Sequence, residues 1–69
     1  SSNQQRVQLI LAEAALLRDA NQTKEAFEVV ERGLDKLPDH PDLLYDQGML
    51  AEKLGRIDIL ESSMRKVIK

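Results

Sequence analysis

The sequence predicts an all-α fold made of two antiparallel helix–turn–helix units. Three observations predict it. Four segments carry apolar residues three and four positions apart, the spacing of one helix face, and none sustains the alternation of a strand. Residues that end helices stand between these segments: Asn21, Pro38 and Gly55. The chain also matches itself in physical role when shifted by 34 residues, which makes its halves two versions of one unit.

The first segment covers residues 6–20. Asn21 follows it, a residue type that tolerates the left-handed conformation in which helices often end. The second covers residues 24–37, with Thr23 as its cap or first-turn residue, and Pro38 stops it. The third covers residues 41–54. Pro41 opens it at the first helical position, where a missing N–H costs nothing. Gly55 closes it. The fourth covers residues 58–69, with Asp58 as its cap or first-turn acid. Ala, Leu, Glu, Lys and Gln, all good helix formers, dominate every segment. Connections this short force successive helices to run antiparallel. Residues 1–69 form a single domain, with a first unit over about 7–40 and a second over about 41–69.

Composition narrows the function. One Phe, one Tyr and no Trp leave an aliphatic core, which suits packed helices better than a sandwich or barrel. Ten basic residues against 12 acidic ones give a net charge of −2, which argues against a nucleic-acid surface. The absence of Cys removes disulfides, a thiol nucleophile and Cys-based zinc sites. The longest apolar run is too short to span a bilayer, so direct membrane insertion is not expected. No signal peptide is visible, and the chain begins Ser1-Ser2-Asn3 rather than with Met. It reads as a segment of a longer array.

No catalytic constellation emerges, so an enzyme is not expected. His40 stands alone in a turn and reads as a solvated or capping residue. Asp39 and Asp42 beside it read as helix-start acids. Gly33, Gly48 and Gly55 form no phosphate loop, and no His or Cys pairs exist to hold zinc. No metal or other cofactor is implied. The Arg65-Lys66-Lys69 cluster lies at a helix C-terminus, where positive charge is favourable, and reads as that rather than as a nucleic-acid contact.

The offset of 34 aligns Ile10 with Leu44, Ala14 with Gly48, Asn21 with Gly55, Ala26 with Leu60, Val30 with Met64, and Leu34 with Ile68. A glycine inside a helix costs about 1 kcal/mol relative to alanine, so Gly48 implies a close helix crossing that offsets the cost. Ala14 occupies the same place in the first unit.

On these residues the chain resembles the tetratricopeptide repeat family over residues 7–69. The family places a large residue and then a small one four later on its first helix, as Ile10 with Ala14 and Leu44 with Gly48 do. Its second helix carries small, bulky and small residues, as Ala26, Val30 and Gly33 do, and Pro38 falls where a repeat closes. The second unit departs from this pattern: Leu60, Met64 and Val67 are all bulky, and Ala51 replaces a large aromatic. This reads as a volume-conserving exchange, Leu17 facing Ala26 in the first unit and Ala51 facing Leu60 in the second. Residues 43–68 are also similar to a group of bacterial tetratricopeptide proteins, some associated with the cell envelope. That implies a bacterial source, in the cytoplasm or in the periplasm and envelope.

The resemblance implies a fragment of an α–α superhelix acting as a protein–protein interaction scaffold, whose first helices line a concave groove for a peptide or protein partner. Repeat register assigns Gln8, Leu11, Ala15 and Arg18 to that groove from the first unit, and Asp42, Tyr45, Met49 and Glu52 from the second. One family variant clamps a C-terminal carboxylate with Lys and Asn on the first groove helix and Asn on the second. Here those places hold Leu11, Ala15 and Asp46, so the clamp is absent. Leu11, Ala15, Tyr45 and Met49 form an apolar floor with charged edges instead, either open or covered by another part of the parent protein.

A second surface lies at the repeat ends. Leu9 and Leu16 are seven apart on the first helix, as Leu43 and Leu50 are on the third. In the family this stripe meets the preceding repeat, which Leu43 and Leu50 have and Leu9 and Leu16 lack. With Val67 and Ile68 at the other end, these residues form candidate surfaces for homo-oligomers. Two rival functions follow: an oligomerisation element acting through its open ends, and a non-catalytic appendage of a larger enzyme.

Overall fold

The computed structural model describes residues 2–68. Among them are four α-helices and no strand: α1 (Ser2–Asp19), α2 (Thr23–Lys36), α3 (Pro41–Lys53) and α4 (Ile57–Ile68). The expected end of the second repeat at Lys69 lies outside the described residues. α1 begins a full turn before residue 6, where the apolar pattern starts. The added turn, Ser2-Asn3-Gln4-Gln5, is exposed and polar, so apolar spacing carries no trace of it. α4 begins one residue before Asp58, which stands in its first turn.

The two hairpins close with the same backbone device. Asn21 has φ 64° and Gly55 has φ 76°. Around Asn21, the Gln22 N–H donates to the Leu17 carbonyl at 2.8 Å and the Asn21 N–H to the Arg18 carbonyl at 3.0 Å. Around Gly55, Arg56 donates to Ala51 at 2.8 Å and Gly55 to Glu52 at 3.0 Å. This paired pattern is a Schellman cap, which satisfies carbonyls the ended helix leaves unpaired. Its recurrence after 34 residues shows the repeat in the backbone itself.

The other helix ends differ. The N-cap of α2 is Gln22, whose side chain makes no capping bond, and Thr23 is the first helical residue. α3 starts with Pro41 at its first position, and His40 is its N-cap. The His40 Nδ1 accepts a hydrogen bond from the Asp42 N–H at 3.2 Å. The lone histidine therefore has a structural task.

Each helix packs on the next, and α1 also touches α3. The core gathers Val7, Ala14, Ala26, Phe27, Val30, Leu43, Leu50 and Ala51. Both members of the exchanged pairs belong to it or pack against it: Leu17 with Ala26, and Ala51 with Leu60. Two glycines mark close approaches. A Cβ added at Gly33 would lie 2.8 Å from Ile10 Cδ1 and 3.4 Å from Leu43 Cδ1, so α2 meets both α1 and α3 there. A Cβ at Gly48 would collide with the Met64 Cε and lie 3.5 Å from the Ser63 Cβ. Ser63 is the one buried polar residue of the described chain, and its hydroxyl donates to the Gln47 Oε1 at 2.6 Å. That bond ties α4 to α3 where the first repeat has the apolar Val29.

Gly48→Leu should lose about 1–3 kcal/mol of stability, the cost of overpacking a close crossing. Gly48→Ala should be far milder: a flexible Met64 methyl can move aside, and the helix gains about 1 kcal/mol in propensity. Thermal melts followed by circular dichroism will show the difference. Equal melting temperatures for Gly48→Leu and wild type would refute the crossing.

Candidate binding groove

The residues that repeat register assigns to a groove come from matching faces of α1 and α3. On α1, Gln8, Leu11, Ala15 and Arg18 recur at helical spacing, and on α3 so do Asp42, Tyr45, Met49 and Glu52. α1 and α3 lie side by side because α2 packs against both. A cleft of about 320 Å³ opens between them, lined by Leu11, Arg18, Asp42, Tyr45 and Asp46. Four of those five are groove residues expected from repeat register. Leu11 and Ala15 are half-buried, whereas Tyr45 keeps 55% of its surface exposed and Met49 keeps 36%. Gln8 and Glu52 are exposed, and neither they nor Ala15 and Met49 are in the cleft lining.

Asp46 is the addition. It is not among the groove residues that repeat register assigns, but it stands at the place of the clamp's second-helix Asn, one turn beyond Asp42 on the same helix face. Its carboxyl is half-buried, and burial pushes its pKa above the ordinary aspartate value. The positive charge of Arg18 across the cleft opposes that rise. The Arg18 guanidinium itself lies 3.5 Å from Asp19 on its own helix. The cleft thus combines an aliphatic wall, an aromatic ring, two carboxylates and a cation already engaged elsewhere.

The end surfaces stand apart from the cleft. Leu9 and Leu16 are each 72% exposed, while Leu43 and Leu50 at the equivalent register are 0% and 2% exposed. At the other end Val67 is half-buried and Ile68 is 79% exposed. Among the described residues, no group of three or more His, Cys, Asp or Glu is placed to hold a metal ion. No described helix is long and apolar enough to cross a membrane.

A TPR repeat-containing protein of Pseudomonas aeruginosa is 37% identical to the chain over 62 residues. The chain is a pair of tetratricopeptide-like repeats. The match covers 90% of this chain, and the chain spans 10% of that relative's length. No family profile matches the chain, and no solved structure does. A tetratricopeptide-like pair is a protein-interaction repeat module.

The raised Asp46 pKa has a consequence for stability. A carboxyl easier to protonate in the folded than in the unfolded chain binds more protons when folded, so its contribution falls as pH rises. The cost sets in just above the ordinary aspartate value and persists at neutral pH. Asp46→Asn should therefore be at least as stable as wild type at pH 7, with the difference shrinking as pH falls through that window. Urea melts at pH 7 and near pH 3 will test the sign. A clearly less stable Asp46→Asn at pH 7 would contradict it.

Proposed function

We propose that the chain is a protein–protein interaction scaffold module that presents the joined face of α1 and α3 to a peptide or protein partner. Each repeat, about 7–40 and about 41–69, contributes its first helix to this face. The observation that carries the reading is the open cleft of about 320 Å³ between these helices, with Leu11 in its wall and an exposed Tyr45 beside it. Tyr presents a large surface at small entropic cost, and Met adapts its shape, so Tyr45 and Met49 suit a protein contact.

Truncating groove residues should weaken partner capture without unfolding the helices. In affinity capture with the full-length protein, Tyr45→Ala should cost more than about tenfold, as an aromatic hot spot does. Met49→Ala should have a smaller effect. Circular dichroism should show helicity unchanged in both. Capture that is indifferent to both substitutions would remove the groove from consideration.

A second reading rests on the contrast at the ends. The stripe formed by Leu9 and Leu16 lies open where its counterpart, Leu43 and Leu50, is buried in the core. An apolar stripe of this register favours burial against another helix, and a second copy of the chain can supply one end to end. Sedimentation over a wide concentration range should then show mass growing with concentration, and Leu9→Glu with Leu16→Glu should abolish that growth. A stably folded monomer at the highest concentration excludes this reading.

A further inference from the structure

We propose that the segment held in the α1–α3 cleft carries a lysine or arginine, seated on the Asp46 carboxylate beside the Tyr45 ring, next to an apolar residue that meets Leu11. This rests on the groove reading above and assigns its partner a chemistry. The argument is charge complementarity in a formed cleft. Asp42 and Asp46 stand one turn apart on α3 and line the same cleft as Tyr45. Like charges at that spacing repel. The ion pairs of the described residues are Arg18 with Asp19, Arg56 with Asp58, and Arg65 with Glu61, so neither cleft carboxylate has one. Arg18 is the cation in the cleft lining, and its Nε is directed to Asp19.

A carboxylate half-withdrawn from water and unpaired gains more from an arriving cation than a fully solvated one does. Within the fold Asp46 forms no close ion pair, and the more distant charge of Arg18 only partly offsets its burial. The aromatic ring alongside adds a face on which a cation rests favourably. An anionic segment fares worse, since it meets two carboxylates and one guanidinium already engaged. A C-terminal carboxylate has no dedicated donors at Leu11, Ala15 or Asp46.

The test uses the full-length protein and three fluorescent decapeptides, read by anisotropy. The first carries two leucines and two lysines in a Gly/Ser background. The other two have glutamine or glutamate in place of lysine. The lysine peptide should bind about tenfold more tightly than the glutamine peptide, the usual scale of a charge-assisted contact. The glutamate peptide should bind most weakly. Asp46→Asn should erase the preference for lysine over glutamine, and Tyr45→Ala should weaken all three. Equal binding of the lysine and glutamine peptides, with both weakened by Tyr45→Ala, overturns the cation assignment and leaves the groove standing. A lysine preference that survives in Asp46→Asn also overturns it. No binding by any peptide, or binding untouched by Tyr45→Ala, counts against the groove and the assignment together.

Discussion

The packing of α3 against α2 is the contact on which the rest of the molecule depends. Leu43 approaches Gly33 of α2 there, and Leu43 and Leu50 have almost no exposed surface in the shared core. Complete burial of a leucine contributes about 1.5–3 kcal/mol, so this seam is a large term for a small domain. Gly33 permits it, because α2 has no side chain where Ile10 of α1 and Leu43 of α3 approach. Without the seam there are two separate hairpins. With it, α1 is set beside α3 and a shared face appears that neither hairpin has alone.

Each hairpin is internally tightened in its own way. The first repeat closes α1 on α2 around Ala14, Ala26 and Val30, all buried. The second closes α3 on α4 around Gly48, with Met64 and Leu60 filling the space that the glycine leaves. Bulk removed from one helix is thus restored by its partner, which keeps the interior dense. The Ser63–Gln47 hydrogen bond satisfies the polar group that the second repeat buries. α4 covers α3 on one side only, and its own outer residues stay exposed.

The cleft holds a charged group at some cost to the fold. Burial works against the Asp46 charge, and Arg18 only partly compensates. A stability-driven sequence would place a neutral residue there, since an unpaired, partly buried carboxylate is disfavoured. Sites at which local stability is sacrificed are where binding function is expected. The charge is also near an exposed aromatic ring.

Much of this protein was legible in the order of its residues, for a local reason. Helix periodicity, Pro41 at a helix start, and Asn21 and Gly55 at positive φ are properties of a few neighbouring residues, so the four helices and their turns follow from the chain alone. The period of 34 residues then specifies how one hairpin repeats the other, and it places Leu11, Arg18, Asp42 and Tyr45 on one face. What spacing could not show is the first turn of α1, because exposed polar residues carry no apolar period. Tertiary structure alone decided that Ser63 pairs with Gln47, that Gly33 serves two neighbours at once, and that Asp46 is withdrawn from water beside Arg18. Each of these depends on distances between residues remote in sequence, and such distances exist only after the helices have packed.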